Sequence, residues 1–239
     1  MKLRVQDIKD KIDYLTGKKL TEQAQLCNKL LSTFHRPTAY LEIGVDQGRT
    51  FKKIKSEIKH GVDPYGTYDA THRMTSQLFF ALNKLFFHHT YDVIFLDAAH
   101  LSLIVDEEIK ESLKILRKGG FIVLHDTDPP TKEAAEVILD DIVSYLRNLS
   151  YPHNKSHTNS LVWKIYNGDV WKSIARIRMS NPNVQVFTIE NFCCTVLKVG
   201  KQKNMKAVSE KKLNWSFFVK NREKILHPVP FNSLNLYLH

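Results

Sequence analysis

From Ala39 onward the chain alternates short apolar runs, each ending in glycine or an acid, with stretches of helical spacing. This pattern constrains the fold more than any other feature, because parallel strands need a long crossover between them and a helix supplies it. The first run is Tyr40-Leu41-Glu42-Ile43, which leads through Gly44-Val45-Asp46-Gln47-Gly48-Arg49-Thr50 into an expected basic helix over residues 51–57. Gly61-Val62-Asp63 closes a second strand, and Pro64-Tyr65-Gly66 turns the chain away. Residues 70–75 leave room for only a brief strand before a helix through Leu78, Phe79, Leu82 and Leu85. Tyr91-Asp92-Val93-Ile94-Phe95-Leu96-Asp97 reads as a buried strand, and Val105, Ile109, Leu113 and Leu116 mark the helix behind it. Glu107 and Glu108 lie in that helix's first half, as the dipole prefers, and Lys118-Gly119-Gly120 is expected to end it. Phe121-Ile122-Val123-Leu124 then delivers His125-Asp126-Thr127-Asp128, and Pro129-Pro130 stops the strand.

The flanking segments complete an α/β architecture. Two leading helices are expected, one from Ile8, Ile12 and Leu15 before Gly17, the other from Leu26, Leu30 and Phe34 before Pro37. A helix over residues 132–146, a polar lid-like loop over 151–160 and an amphipathic helix over 169–179 follow. Residues 184–189 and 194–199 are β-rich and separated by Glu190-Asn191-Phe192, so they should pair as an antiparallel hairpin at the sheet edge. The organisation expected is 1–38 as N-terminal helices, 39–200 as the main domain and 201–239 as a basic extension packed on it, with Trp215, Phe217 and Phe218 anchoring a terminal helix.

Composition narrows the class. With 239 residues, 43% of them hydrophobic, the chain can bury one full core, and Gly 9 and Pro 8 exclude collagen-like and low-complexity classes. No apolar run approaches the roughly 18 residues that cross a bilayer, so no membrane partner is expected. Cys27, Cys193 and Cys194 make no disulfide framework, and Met1-Lys2-Leu3-Arg4-Val5-Gln6-Asp7 is charged, so a reducing, cytoplasmic setting is expected. The formal charge of +10 draws anionic partners, nucleic acid or nucleotide-sugar, or simply keeps the surface soluble.

Ligands of an open parallel sheet bind beyond the carboxyl ends of its strands. There the chain places Glu42, Asp63, Asp97 and Asp126, with Gly44 and Gly48 in the first loop. A dinucleotide loop would want G-x-G-x-x-G, but Asp46 and Arg49 stand where the later glycines belong. Taken singly, Asp63 reads equally as a turn acid, and Thr75-Ser76 as an ordinary helix start.

Glu42-x-Gly44 running to Gly48-x-Thr50 resembles motif I of class I S-adenosylmethionine-dependent methyltransferases, with Asp46 replacing the usual middle glycine. Met74-Thr75-Ser76, Asp97-x-x-His100, Gly119-Gly120 through His125-Asp126 and Asn167-Gly168-Asp169-Val170-Trp171-Lys172 extend the likeness to the methyltransferase family 24 group, over about residues 40–199. The resemblance implies a Rossmann-like class I fold, mostly parallel with a C-terminal antiparallel hairpin. It also implies an S-adenosylmethionine-dependent O-methyltransferase acting on a sugar or glycan hydroxyl. The cofactor contacts it implies are Glu42, Gly44, Gly48, Thr50, Asp63, Thr75, Ser76 and Asp97.

Related O-methyltransferases place acids after the fourth and fifth strands around a divalent cation, which implies Mg2+ or Mn2+ on Asp97, Asp126 and Asp128. His100, three residues past Asp97, is the expected general base beside Asp97; its alternative is a capping or packing histidine, as Asp126's is a turn cap. Other readings stay open: an RNA or other nucleic-acid methyltransferase using the basic surface, or a catalytically silent scaffold. Asp97-Ala98-Ala99-His100 lacks the Pro-Pro-aromatic motif of amino-methylating DNA enzymes.

Overall fold

A computed structural model describes residues 20–64, 70–137 and 166–238. One seven-stranded sheet runs through them in the order β2-β1-β3-β4-β6-β5-β7. β1 (Ala39–Ile43), β2 (Ile58–Val62), β3 (Tyr91–Leu96) and β4 (Leu116–Leu124) are parallel, while β6 (Cys194–Val199) pairs antiparallel with β4 and with β5 (Val184–Ile189). This is the mostly parallel, Rossmann-like sheet closed by an antiparallel hairpin that the sequence led us to expect. The hairpin is not the edge: β7 (Pro228–Val229) pairs parallel with β5 beyond it.

Strand periodicity divides the core into two layers. Leu41, Ile43, Ile94, Leu96, Ile122 and Leu124 face α2 (Ser76–Leu82), α3 (Ser102–Ile115), α4 (Trp171–Ser180) and α5 (Trp215–Leu226). Tyr40, Val93, Phe95, Phe121 and Val123 face α1 (Glu22–Leu31) and the C-terminal 3-10 turns Phe231–Tyr237. Phe218 of α5 is fully buried with its ring 4.8 Å from that of Trp171. Each such buried side chain contributes about 1.5–3 kcal/mol of apolar transfer free energy.

Several local expectations are corrected. Residues 51–57 form one 3-10 turn, Phe51–Lys53, because the Asn28 side chain brackets the chain there: it donates to Lys53 O (2.9 Å) and accepts from Lys55 N–H (2.7 Å). The brief strand at residues 70–75 is a single bridge, Val62 to His72. α3 ends at Ile115, and Leu116 already belongs to β4. Gly119 and Gly120 therefore lie inside a strand, where the β3–β4 register shifts; Gly119 has φ +81°. His72 and His89 pack around His60, the first edge-on and the second tilted, with ring centroids 5.4 and 4.5 Å away. Residues 131–137 are turns, not the start of a helix; the remainder of that expected helix, the 151–160 loop and the first leading helix lie outside the described residues. Among the described residues no helix is long and apolar enough to cross a membrane.

The amino ends of the strands are tied by one buried acid. Asp92 is fully buried and accepts from Arg36 (2.5 and 3.1 Å), Arg117 (2.9 Å) and the Ala39 N–H (2.9 Å), joining β3 to β1 and β4. Burial works against its charge, but the hydrogen bonds from Arg36 and Ala39 win and hold its carboxyl below the usual range. Asp92→Ala should therefore destabilise the fold. Both arginines remain partly exposed, 44% and 31%, so the loss expected is about 3 kcal/mol, the low end for breaking a buried pair, read from urea unfolding.

Candidate active site

The register aligns Ile43, Val62, Leu96 and Leu124 at one level, so Gly44, Asp63, Asp97 and His125 leave the sheet together. Alternation then assigns faces: Glu42, Asp97 and His125 share the parity of Tyr40, Phe95 and Val123 and fall on the α1 side. The loop after β1 lies hard against the end of β3. Gly44 has φ +90°, and a Cβ placed on it would sit 2.4 Å from the Asp97 carbonyl oxygen. The first glycine is thus required by the protein's own backbone.

Glu42, Gly44, Val45, Asp46, Arg49, Thr50 and Asp97 line a cavity of about 220 Å³, which Thr21 and Gln23 of the α1 end complete. Thr21 caps α1 through Ala24 N–H (3.1 Å) and meets the Thr50 hydroxyl (3.2 Å). Sequence reasoning missed Thr21, Gln23 and Arg49; the N-cap Thr21-x-x-Ala24 is local, and nothing in it says which sheet face the helix covers. Glu42 is 2% exposed and accepts from the Tyr40 hydroxyl (2.6 Å). Burial, reinforced by Asp97 and opposed by the Tyr40 hydrogen bond, pushes its carboxyl up to about 8.

The other expected cofactor residues, Gly48, Asp63, Thr75 and Ser76, are not among those that line this cavity. Asp63 Oδ2 accepts from the Val45 and Asp46 N–H groups (3.0 and 2.9 Å), so this acid holds the loop, and Asp46 takes φ +44° where a glycine is usual. Gly48, at φ +70°, closes the turn through its N–H to Val45 O (2.8 Å). Thr75 caps α2 through Leu78 N–H, and Ser76 is buried; neither lines the cavity.

Beyond Asp97 lies a charged cluster. His125 Nδ1 is 3.1 Å from both Asp97 Oδ1 and Asp126 Oδ2, and its Nε2 meets the Gln23 amide at 2.8 Å. Burial disfavours a charged ring, but the two carboxylates prevail and hold His125 well above its usual value; a charged ring donates from both nitrogens, so the Gln23 carboxamide then turns its oxygen rather than its NH2 to Nε2. His100 Nε2 lies 3.1 Å from Asp126 Oδ2, and Asn167 Nδ2 donates to Asp126 Oδ1 (2.8 Å). Burial would raise the Asp126 pKa; His125 and His100 instead draw it below the carboxylate range. Donor atoms of Asp97, His100 and Asp126 lie within 4.8 Å of one another. Asp128, expected beside Asp97 and Asp126, is turned to Arg222, which grips it at 2.7 and 2.5 Å. His100 takes its place in the cluster.

Gly44→Ala tests the close approach directly. It combines a left-handed backbone angle, about 1–2 kcal/mol for an L side chain, with overlap on a main-chain oxygen that cannot rotate away. At about 2–4 °C per kcal/mol for a chain of this size, Tm should fall by at least about 4 °C.

No protein-family model matches the chain, and no curated protein matches it. Among solved structures it is similar to the MycE methyltransferase from the mycinamycin biosynthetic pathway, in complex with Mg and SAH, at 12% identity and TM-score 0.41 over 82% of this chain. It spans about half of MycE, 53% of that chain. It is also similar to the O-methyltransferase from Bacillus cereus in complex with SAH, at 14% identity over 75% of this chain and 80% of that one, TM-score 0.43. An SAH-bound methyltransferase from Podospora anserina shares 13% identity over 85% of this chain and 99% of that one, TM-score 0.41.

Proposed function

We propose that this chain is a methyltransferase that takes a methyl group from S-adenosylmethionine and transfers it to an oxygen, the hydroxyl of a sugar or glycan. One observation carries the reading: at the carboxyl ends of the parallel strands, a cavity bounded by Glu42 and Asp97 adjoins the Asp97–His100–Asp126 cluster, and Asp97 belongs to both. The acceptor class follows from the sequence resemblance.

The donor set suits this cofactor. Burial disfavours a second carboxylate at Glu42 beside Asp97, so a ligand bearing an ammonium group supplies the charge that lets Glu42 ionise. Thr50 and Arg49 add polar contacts on the same wall. The cavity, about 220 Å³, is smaller than the roughly 300–1,000 Å³ of whole small-molecule sites, so these walls take the charged end of the ligand. In this reading Asp63 and Gly48 act through the loop they hold, and Thr75 and Ser76 through the start of α2.

When bound, the cofactor supplies an electrophilic methyl group on a positive sulfur. The protein's task is alignment and proton removal. His125, already charged between two aspartates, is excluded as a base. His100 remains. With its Nε2–H donating to Asp126, the proton-accepting lone pair stands on Nδ1, where it takes the acceptor's hydroxyl proton.

Calorimetry at pH 7 should detect binding of S-adenosylhomocysteine with release of a proton from Glu42, visible as a heat that depends on the buffer's ionisation enthalpy. Affinity should rise with pH toward about 8, the Glu42 value, and level off above it. Glu42→Gln should abolish the proton release and weaken binding about tenfold, the loss of roughly 1.4 kcal/mol. Methyl-labelled S-adenosylmethionine incubated with polysaccharide, nucleotide-sugar and RNA pools should label the sugars; label in RNA alone would reassign the acceptor. Binding of neither cofactor nor product contradicts the reading.

A second reading is favoured by the convergence of Asp97, His100 and Asp126, a donor set suited to Mg2+ or Mn2+ that would polarise the acceptor oxygen. Binding there would rearrange the bonds that Asp126 now makes to His100, His125 and Asn167. Excess chelator should abolish turnover while leaving product affinity within about twofold if this reading holds. Full activity in chelator leaves the His100–Asp126 pair to act alone.

A further inference from the structure

We infer that the four residues Tyr166–Asn167–Gly168–Asp169 are a positioning segment that sets the orientation and tautomer of His100 by gripping both members of the His100–Asp126 pair. The inference deepens the proposed function and rests on that reading for its kinetic consequence only.

Four consecutive residues each touch the pair or its support. The Tyr166 ring, 5% exposed, stands edge-on to the His100 ring at 5.1 Å. Asn167, 4% exposed, donates from Nδ2 to Asp126 Oδ1 at 2.8 Å, leaving Oδ2 to His100 and His125. Gly168, at φ +62°, lies so close to the His100 main chain that a Cβ would fall 2.1 Å from the His100 carbonyl oxygen. The Asp169 N–H donates to that same oxygen (3.1 Å), while its carboxylate accepts from the Ser102 N–H (2.6 Å) and hydroxyl (3.1 Å) at the start of α3. His100 is thereby held by its ring on one side and its carbonyl on the other.

Asp126 itself has φ +56°, a left-handed angle that an L residue keeps only when neighbours hold it. The Asn167 amide is such a neighbour. Its orientation follows from chemistry: only the NH2 side can face a carboxylate oxygen, and the same nitrogen lies 3.2 Å from Cys193 Sγ. A carboxylate whose one oxygen is engaged presents the other in a fixed direction, and that direction chooses which imidazole nitrogen carries the proton.

The test reads the histidine ring without needing an acceptor. In protein labelled with 15N-histidine, with the His100 signals assigned by their loss in His100→Gln, the wild type should show a protonated Nε2 and an unprotonated Nδ1. Asn167→Ala should convert this to a mixed-tautomer pattern in a protein that remains folded, with product affinity within about twofold of wild type; Tyr166→Leu should broaden the same signals and serves if Asn167→Ala fails to fold. In the methyl-transfer assay, Asn167→Ala should lower kcat about tenfold or more with KM for S-adenosylmethionine unchanged. The double variant Asn167→Ala with Asp126→Asn should be no slower than Asp126→Asn alone. An unaltered His100 signature in a folded Asn167→Ala protein overturns the inference. Absence of methyl transfer by the wild type, with the tautomer shift intact, instead counts against the proposed function and leaves the positioning role standing.

Discussion

The contact between Gly44 and the main chain of Asp97 is the constraint on which the site depends. Parallel strands β1 and β3 end at the same level, so the loops leaving them compete for one space. Only a residue without a side chain lets the first loop cross directly over the second, and Gly44 meets the Asp97 carbonyl closely enough that a single methyl would collide. This crossing brings Glu42 and Asp97 onto one wall and leaves the cavity between them and α1. Asp63 then fixes the loop by taking two of its amides, which replaces the freedom that a second glycine at position 46 would have provided.

Charge is distributed unevenly for a chain of net +10. The mouth of the sheet is acidic, and its acids are handled in three different ways. Glu42 stays protonated near neutrality, Asp97 and Asp126 share the charged His125, and Asp128 is drawn off by Arg222. The last pairing matters because Arg222 belongs to α5, whose burial depends on Phe218 and Trp171, so the C-terminal helix decides which aspartates remain at the mouth. At the opposite end of β3, Asp92 satisfies two arginines and closes the sheet.

Most of this architecture was legible in the sequence, for identifiable reasons. Strands that are apolar throughout and end in glycine or acid announce a parallel sheet, and the residues at their ends announce its mouth; Glu42, Gly44, Asp63, Asp97 and Asp126 came from that rule, and His100 from its place three residues past Asp97. What escaped depended on distant partners. The helix expected over 51–57 yields to the Asn28 side chain from α1, and Lys118-Gly119-Gly120, a fair helix stop locally, is absorbed into β4 beside Asp92. Asp128 reads as a ligand beside Asp126 until Arg222, 94 residues away, claims it. Thr21, Gln23 and Asn167 carry no local signal of proximity to the mouth, since only packing across the sheet brings them there.

The most direct measurement of the central claim is a crystal structure of the protein with S-adenosylhomocysteine bound. The account predicts ligand density in the cavity between Glu42, Gly44 and Asp97, on the α1 side of the sheet and next to the His100–Asp126 pair. Density elsewhere on the molecule, or a cavity that stays empty of ligand at saturating concentration, would contradict it.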